Sequence, residues 1–475
     1  MQSAAIEDVL GIPIIRKVAD LAAELNTETY IVGGFVRDIY LNRESKDLDI
    51  VVLGKGIDFA KELTAKLGEG ARTAYFKNFG TAQVKYEDWI LEFVGARKES
   101  YSRDSRNPIV EDGSLEDDQK RRDFTINSMY ISLNADTIGE VIDPFNGLAH
   151  IEDKLIQTPL DPKITFDDDP LRMLRAIRFA TRFGFKLSDE VLEAITKYSD
   201  RIKIISAERI IEEINGMILT ERPSLAFKLM EKTGLLKIIF PELVALKGVE
   251  IKNGLGHKDN FYHTLQVLDN ICPNTNNLWL RWAAIMHDIA KPPTKRFEVG
   301  HGWTFHGHED MGSRWVKKIF RRLRLPLDDK MKYVETLVRL HLRPIALTKE
   351  VVTDSAIRRL IVDAGEYLED LLTLCRADIT SKNEAKVRKF QANLNNVESK
   401  VADVIERDNL RNWQPVVNGN HIKQRYIIKN PREIGILKDA ARSAILDGEV
   451  PNELEPALLF LDKLASNENI ERKET

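Results

Sequence analysis

Two hydrophobic periods alternate over the first 160 residues of the chain. Short runs rich in β-branched and aromatic residues are typical of strands, and the stretches between them have the apolar spacing of helices. Strands are predicted at Thr29–Val32, Asp47–Leu53, Gly80–Tyr86 and Asp88–Val94, and helices at Phe35–Leu41 and Asp58–Leu67. This mixture predicts a small α+β head over residues 1–160.

From about residue 169 the pattern becomes helical and remains so. Apolar residues recur at Leu171, Leu174, Ile177 and Ala180, which is the spacing of one helix face. Ser206 is the expected N-cap of a later helix. After the head we therefore expect an all-α neck over 161–250, a third domain over 251–385 and a charged helical tail over 386–475.

Composition narrows the class of protein. The chain has 475 residues, of which 43% are hydrophobic and 30% charged, as in folded soluble proteins. Its 74 acidic and 70 basic residues give a net charge of −4, which excludes a globally basic nucleic-acid binder but not a locally basic surface. Two cysteines exclude a disulfide framework. No apolar run reaches the roughly 20 residues of a membrane helix, and no signal peptide is evident, so a cytoplasmic protein without membrane contact is expected.

The segment IVGGFVRDIY predicts a phosphate-binding turn. A strand ends at Gly33 and Gly34, where the lack of side chains lets backbone N–H groups approach a bulky anion. The helix that follows offers its positive end to the same anion. Arg37, one turn into that helix, is expected to add a charge to the phosphate.

Carboxylates follow this turn with the spacing of a metal site. Asp47 and Asp49 are two residues apart on a predicted strand, so both side chains should lie on one face. Carboxylate oxygens are hard ligands that suit Mg²⁺. Glu92, on another predicted strand, is the candidate third carboxylate. The sequence therefore predicts a magnesium-dependent phosphoryl-transfer site.

The order GGFVRD followed by DLD resembles the head motif of the class II tRNA nucleotidyltransferase and bacterial poly(A) polymerase family. The segment RRDFTIN is similar to the family's second motif, which holds the ribose and triphosphate; the resemblance thus implies roles for Arg122, Asp123 and Asn127. Asp123 and Asn127 are four residues apart and are expected on one helix face. The resemblance spans residues 10–250 and implies a polymerase-β-like head with a mixed sheet.

A further segment, DDPLRMLRAIR, resembles the motif with which this family selects the incoming base. Asp169 is also a natural helix N-cap, since a proline follows it. The resemblance implies that Asp169 and Arg172 recognise the base. Arg175 and Arg178 continue the same helix face, and because like charges repel, we expect this stripe to face a triphosphate or an RNA backbone.

Seven of the nine histidines lie between His257 and His341. The order H…HD…D resembles the HD phosphohydrolase superfamily, and imidazoles with carboxylates suit a divalent transition metal better than Mg²⁺. The expected ligands are His263, His287, Asp288 and Asp378, with His306, His308 and His341 as further candidates. Both an active phosphohydrolase and a catalytically silent tRNA scaffold remain open for this domain.

Together these motifs predict template-independent addition of CCA to the 3′ end of tRNA from CTP and ATP, with release of pyrophosphate. The tail is expected to touch the tRNA, and the oligomeric state is open. Alternatives are a poly(A) polymerase, a CC-adding enzyme, and an HD phosphohydrolase with a regulatory nucleotide-binding head. Full CCA addition is favoured because the loop over 97–120 contains Arg103, Asp104, Arg106 and Pro108.

Overall fold

The computed structural model describes residues 2–76, 80–100, 109–348, 353–381, 383–408, 413–468 and 470–473. Arg103, Asp104, Arg106 and Pro108, which favoured full CCA addition, lie outside the described residues. The chain forms two compact units, Met1–Val244 and Ala245–Thr475. The finer division into four domains stays a prediction.

The first unit is built around a seven-stranded sheet in the order β3-β4-β5-β2-β1-β8-β9. Its strands are β1 Thr29–Val32, β2 Asp47–Val52, β3 Ala71–Phe76, β4 Thr81–Tyr86, β5 Trp89–Gly95, β8 Tyr130–Ser132 and β9 Val141–Ile142. The β2–β5 pair is parallel and the other neighbours are antiparallel, so the predicted mixed sheet is confirmed. A separate antiparallel pair is formed by β6 Arg97–Ser100 and β7 Ile109–Asp112.

The head contains α-helices together with this sheet, and the rest of the first unit is mainly helical. Those of the head are α1 Gln2–Leu10, α2 Pro13–Glu24, α3 Gly34–Tyr40, α4 Gly56–Leu67, α5 Leu115–Lys120 and α6 Gly147–Glu152. The helices that follow are α7 Pro162–Asp168, α8 Leu171–Phe183, α9 Asp189–Tyr198, α10 Ala207–Ile218, α11 Ser224–Lys232, α12 Leu235–Ile239 and α13 Pro241–Val244. Between them, β10 Leu155–Ile156 pairs in parallel with β11 Lys186–Leu187.

Strand residues that alternate inward form the core of the head. Val32, Leu48, Ile50 and Phe93 are fully or almost fully buried, and α4 packs against β3, β4 and β5. Ser206 precedes α10 as predicted, but its side chain makes no capping hydrogen bond.

The second unit is almost entirely helical. Its helices in the first half are α14 Asn260–Ile271, α15 Leu278–Met286, α16 Lys291–Thr294, α17 His308–Leu323, α18 Asp329–Leu340, α19 Leu342–Leu347, α20 Asp354–Ala364 and α21 Leu368–Asp378. The remainder are α22 Glu384–Asp408, α23 Gly419–Arg425, α24 Pro431–Asp447 and α25 Leu454–Asn467. Two short hairpins pair β12 Ile251–Lys252 with β13 Leu255–Gly256, and β14 Arg296–Glu298 with β15 Gly302–Thr304.

Within the described ranges, no helix combines the length and the apolar composition needed to cross a membrane.

Candidate active site and metal centre

The three predicted head carboxylates share one face of the sheet. Asp49 on β2 lies directly opposite Glu92 on β5 in the parallel register. Asp47 precedes Asp49 by two residues on the same strand, so its side chain projects to the same side. Gln83 on β4 is paired with Glu92, and its Nε2 donates a hydrogen bond of 3.0 Å to Glu92 Oε1.

The turn at Gly33 closes one side of this site. Gly33 has φ +73°, a left-handed conformation that glycine adopts without strain. A Cβ atom at Gly33 would lie 3.2 Å from Asp49 Oδ2 and 3.2 Å from Arg122 Nη1. Because Gly33 has no side chain, the Asp49 carboxylate and the Arg122 guanidinium both face its exposed backbone. This arrangement leaves room for a phosphate beside the turn.

A cavity of about 220 Å³ opens above these groups. Asp49, Glu92 and Gln83 line one side of it, and Arg121 and Arg122 line another. The cavity thus offers oxygen ligands for a cation beside two guanidinium groups for an anion. These two sets of groups complement a magnesium-bound nucleoside triphosphate, which combines a cation with a polyphosphate anion.

The electrostatics of Asp49 fit a bound cation. Burial raises the pKa of its carboxyl group, the charge of Arg122 opposes that rise, and the charges of Glu92 and Asp47 add to it. A divalent cation among these acids would relieve the repulsion between them. The donor set is made of carboxylate oxygens, which are the ligands Mg²⁺ prefers. The residues present therefore fit Mg²⁺.

Asp118 orients both arginines of the RRDFTIN segment. Its buried carboxylate accepts hydrogen bonds from Arg121 and from Arg122, the latter at 2.9 Å from Nη2. Tyr130 donates its hydroxyl proton to the same carboxylate. Burial opposes ionisation of Asp118, but the charges of Arg122 and Arg121 hold its pKa below the usual range. Sequence reasoning missed Asp118, although its position three and four residues before the two arginines is a signal for such pairing.

Arg37 does not line the cavity. Its guanidinium is buried, lies 4.6 Å from the Phe183 ring centroid, and donates to Asp38 and to Asn127 Oδ1 at 2.7 Å. Burial lowers the pKa of Arg37, and Asp38 opposes that effect. The structure thus gives Arg37 partners within the protein, while its Nη2 lies beside Gly34 of the turn, and a phosphate contact by Arg37 stays a prediction.

Asp123 and Asn127 meet, but not on the predicted helix face. The segment Thr125–Asn127 is a single 3-10 turn that Asp123 precedes, so the helix prediction is wrong here. The turn still brings the pair together, and Asn127 Nδ2 donates to Asp123 Oδ1 at 3.0 Å. Burial disfavours the charge of Asp123, yet Arg175 keeps its pKa below the ordinary value.

Asp169 follows the last residue of α7 and stands two residues before Leu171, the first residue of α8, while Pro170 takes the N-cap position. The Oδ1 of Asp169 accepts the backbone N–H of Leu171 at 3.1 Å, and its Oδ2 accepts from Arg209 at 2.7 Å. Arg172 donates to the backbone carbonyl of Arg121 at 2.6 Å. Both members of the expected base-reading pair are therefore held by contacts within the first unit.

Carboxylates from elsewhere in the unit compensate the stripe of arginines that was expected to be mutually repelling. Arg175 donates to Asp123 Oδ2 at 2.8 Å, and Arg178 donates to Glu213 of α10. Each guanidinium is thus compensated by a carboxylate that sequence spacing did not reveal. Glu213 is buried and lies 35 residues from Arg178 along the chain, so no local signal marks the pairing.

In the second unit, Asp288 stands at the centre of a cluster of histidines. Its Oδ2 lies 3.2 Å from His287 Nε2 and 3.6 Å from His263 Nε2, whereas its Oδ1 lies 3.2 Å from His308 Nε2 and 3.8 Å from His341 Nε2. The carboxylate therefore belongs to two groups of three candidate ligands, each with its atoms within 4.8 Å of one another.

Asp378, the last residue of α21, extends the first group. Its Oδ1 lies 2.9 Å from His263 Nε2 and 3.7 Å from His287 Nε2. The side chain of His306 is 84% exposed and contacts Glu298, so this candidate ligand lies outside the cluster.

The histidine rings are oriented for metal binding. Nδ1 of His287, His308 and His341 lies 2.6–2.7 Å from a backbone carbonyl oxygen, of Ala284, Phe305 and Val338 respectively. Such contacts place the proton on Nδ1 and leave a lone pair on Nε2. His287 Nε2 is buried and has no hydrogen-bond partner. Lone pairs that face carboxylate oxygens repel them unless a cation lies between, so these residues fit a divalent transition metal.

The carboxylates and histidines of the cluster shift one another's ionisation. Burial lowers the pKa of His287, but the charge of Asp288 raises that pKa above its ordinary value, so metal binding at Nε2 displaces a proton. Burial disfavours the charge of Asp378, but the hydrogen bond from His263 and the charge of His287 lower its pKa to about 2. Burial also lowers the pKa of His341, to about 3. Lys291, three residues after Asp288, donates to its Oδ2 at 2.6 Å and is a contact that sequence reasoning missed. At neutral pH the cluster therefore offers ionised carboxylates and a neutral His341.

Known domain families match the chain in the same order as its motifs. The chain matches the Poly A polymerase head domain over residues 29–157. It matches the probable RNA and SrmB-binding site of polymerase A over 184–246 and the HD domain over 244–383.

Curated relatives are similar over part of the chain. An A-adding tRNA nucleotidyltransferase of Aquifex aeolicus is 44% identical over 196 residues, which is 41% of this chain and 23% of the relative. An enzyme of the same name from Geobacter sulfurreducens is 33% identical over 264 residues, or 55% of this chain and 28% of the relative. The matched region thus spans about a quarter of the length of these relatives.

Solved structures share the fold over most of the chain. A CCA-adding enzyme in its apo form II aligns with a TM-score of 0.63 at 19% identity, covering 97% of this chain and 96% of that chain. A tRNA nucleotidyltransferase complexed with a primer tRNA and an incoming ATP analog aligns with a TM-score of 0.57 at 26% identity, covering 80% and 98%. The chain therefore contains a Poly A polymerase head domain followed by an HD domain.

Proposed function

We propose that this chain adds nucleotides to the 3′ end of tRNA without a template and adds at least the terminal adenosine. The observation that carries the proposal is the face shared by Asp47, Asp49 and Glu92, which adjoins the cavity lined by Arg121 and Arg122. The names of the curated relatives support tRNA as the acceptor and adenosine as the product.

In this function Asp47 and Asp49 hold Mg²⁺, and Glu92 assists them. When bound, Mg²⁺ supplies positive charge that favours ionisation of the attacking 3′ hydroxyl and stabilises the departing pyrophosphate. Arg122, held by Asp118, lies at the cavity wall and contacts the triphosphate. Gly33 leaves room for the phosphates beside it. The chain contributes mainly position and charge, as is usual for phosphoryl transfer.

Asp169 and Arg172 select the base. Each carboxylate oxygen of Asp169 has one hydrogen-bond donor in the structure, and an oxygen can accept a second. Cytosine and adenine both present an exocyclic amino group that can donate to this carboxylate, whereas uracil and guanine present a carbonyl oxygen. Arg172 has N–H groups beyond those bound to backbone carbonyls and can donate to the neighbouring ring nitrogen.

Complete CCA addition is the second candidate function. The Asp169–Arg172 pair favours it, because one carboxylate and one guanidinium accommodate cytosine and adenine alike. The two candidates differ in whether CTP is used on a tRNA that lacks all three terminal nucleotides.

Extension of three tRNA transcripts tests both candidates. The transcripts end before CCA, after the first C and after CC, and each is incubated with single nucleotides and Mg²⁺ before the products are sequenced. ATP incorporation confined to the transcript ending in CC identifies an A-adding enzyme. Incorporation of C on the first two transcripts, together with incorporation of A on the transcript ending in CC, identifies complete addition. No incorporation on any transcript contradicts the proposed function.

For the HD domain we propose a phosphohydrolase centre that binds divalent transition metal ions through His263, His287, Asp288, His308, His341 and Asp378. Support comes from the two ligand groups that share Asp288 and from the unpartnered His287 Nε2. Metal analysis of the purified protein, followed by phosphodiester hydrolysis assays with each metal, tests this proposal. Binding without hydrolysis would favour the scaffold role.

A further inference from the structure

After its first turn, helix α17 carries basic residues and no acidic ones. Between residues 313 and 327 the sequence SRWVKKIFRRLRLPL contains six basic residues and no acidic one. Arg314, Lys317, Lys318 and Arg321 are exposed and follow the spacing i, i+3, i+4 and i+7, which places them on one side of the helix. Arg322 is also exposed and widens this side. We call these five residues the basic face of α17.

The opposite side of α17 packs into the protein. Val316, Ile319, Phe320 and Leu323 are buried, and α17 contacts α18. The helix is therefore fixed by its apolar side, and the basic face is held outward. Its position depends on this packing and requires no ligand.

Most of the basic face lacks compensating acids. In the described part of the chain, Arg314, Lys317, Lys318 and Arg321 form no ion pair within 4.0 Å; Lys317 interacts electrostatically with Glu335 at longer range. Like charges three and four residues apart destabilise an isolated helix by several tenths of a kcal/mol per pair. By contrast, α22 mixes both signs along its length, and there Arg388 pairs with Glu384. A surface that needed only solubility would be expected to mix the two signs as α22 does.

The repeat of charge along α17 fits a polyanion. A helix rises about 1.5 Å per residue, so successive members of the face recur about every 5 Å along its axis. A nucleic-acid strand carries a phosphate about every 3.4 Å of its own axis, so one helix face can meet several phosphates. The chain as a whole has a net charge of −4, so this local concentration of positive charge is opposite in sign to the charge of the whole chain.

The basic face lies on the same helix as one of the clustered histidines. α17 begins at His308, one of the clustered histidines, and Arg314 lies about 9 Å further along the helix. We propose that the basic face of α17 binds the sugar–phosphate backbone of RNA alongside the HD centre. This inference rests on the proposed function, since tRNA is the RNA that the chain would meet.

Two matched triple variants test the inference. One carries Lys317→Gln, Lys318→Gln and Arg321→Gln on α17, and the control carries Lys386→Gln, Arg388→Gln and Lys389→Gln on α22, which mixes both signs of charge. Both remove three positive charges from exposed helix positions, and Gln has a helix propensity close to that of Lys and Arg. Circular dichroism and melting temperature establish that each variant is folded.

Binding of labelled tRNA to the full chain is measured without nucleotides from 50 to 300 mM KCl. For the α17 variant we expect affinity at low salt to fall about tenfold or more and the slope of log K against log salt to decrease by about 2, since each lost phosphate contact removes roughly 0.7–0.9. The control should keep the wild-type slope.

Three outcomes would overturn the inference. Equal weakening of RNA binding in both variants would show only an effect of net charge. Unchanged RNA binding by the α17 variant would leave an acidic protein as the partner of the basic face. The third outcome is no measurable RNA binding by the wild-type chain. Because this assay contains no nucleotide, its result is separate from that of tRNA extension. A wild-type chain that extends tRNA but shows no effect of the α17 variant would retain the proposed function and lose only this inference.

Discussion

In the head, Asp49 and Glu92 line an open cavity from two strands, and Asp47 precedes Asp49 by two residues, whereas the ligands of the HD centre are buried and converge from several helices. Glu92 and Asp47 are exposed, whereas burial raises the pKa of Asp49. In the HD centre, by contrast, the rings of His287, His308 and His341 are fixed by backbone carbonyls.

This difference corresponds to two ways of using a metal. Mg²⁺ keeps several waters and is usually shared between one or two carboxylates and substrate phosphates, so a head site open to the cavity is suited to a metal that arrives with its nucleotide. A transition metal bound by imidazoles is held by the protein alone. We therefore expect the head to depend on substrate for full assembly and the HD centre to be complete without it.

The largest effect is expected when a head carboxylate is removed. Asp49→Ala should lower nucleotide addition by about a thousandfold or more, because loss of the metal costs several kcal/mol of transition-state stabilisation. The melting temperature should change little, since the variant also removes an acid that is repelled by its neighbours. Incorporation of labelled ATP into tRNA measures the effect.

Asp136→Ala, at an exposed turn of the same unit, is the matched control and should remain active. Near-normal incorporation by Asp49→Ala with a retained requirement for Mg²⁺ would contradict the metal assignment in the head.

The second effect concerns the HD centre. The double variant His287→Ala and Asp288→Ala should lose bound transition metal and any metal-dependent phosphohydrolase activity while keeping nucleotide addition. Metal at a thousand times its dissociation constant stabilises a folded protein by about 4 kcal/mol, so chelation should lower the melting temperature of the wild type and not that of the variant.

His306→Ala, which changes an exposed histidine outside the cluster, should behave as wild type in both assays. Complete loss of nucleotide addition in a folded double variant would show that the two sites are coupled and do not work separately.

A smaller effect is expected for base selection. Asp169→Ala should relax discrimination against UTP and GTP by about one to two decades, which corresponds to the 1–3 kcal/mol cost of an unpaired buried polar group. Incorporation of each nucleotide separately measures the selectivity. Asp167→Ala, which removes a neighbouring carboxylate paired with Arg201, should keep the wild-type ratios.

Asp169 also accepts from the backbone N–H of Leu171 and from Arg209, so the outcome distinguishes two roles. A uniform fall for all four nucleotides, together with a lower melting temperature, would leave Asp169 as a structural residue only.

The smallest effect is a change in stability with pH. The pKa of Asp118 is lowered in the folded chain, so its contribution to stability is present above the unfolded pKa of about 3.9 and is lost as pH falls through the folded value. Asp118→Asn should therefore be less stable than wild type at pH 7, and the difference should shrink below about pH 4. Thermal unfolding from pH 7 to pH 3 measures it, and a constant difference would contradict the charge pairing.

Local patterns were sufficient for the α+β character of the head and for the groups that come from one strand or one motif, whereas the mixed sheet was predicted from the family resemblance. The strand around Asp49 and the hydrogen bond from the Leu171 backbone to Asp169 depend on neighbours within a few residues, which a sequence displays directly. The cluster around Asp288 was also named from its residue types, although spacing did not show that His306 would point away from it.

The remaining features depend on contacts that are distant in sequence. Arg37 was expected at the phosphate from its position one turn into α3. No residue near it in the sequence reveals that the Phe179 and Phe183 rings cover its guanidinium. Arg178 was expected to face an anionic ligand because its partner, Glu213, comes from another helix. In both cases tertiary packing supplies a partner for a charge that local reasoning had assigned to a substrate, and the contact with substrate stays a prediction.

The carbonyl contacts of the HD histidines have an evolutionary consequence. Ala284, Phe305 and Val338 orient the metal-facing rings through main-chain oxygens, which every amino acid carries. Substitutions at these three positions that preserve the backbone should therefore leave the ring orientations intact. The centre is in this respect robust to mutation, and its surroundings are free to diverge in sequence and acquire new specificity while the ligand geometry is inherited unchanged.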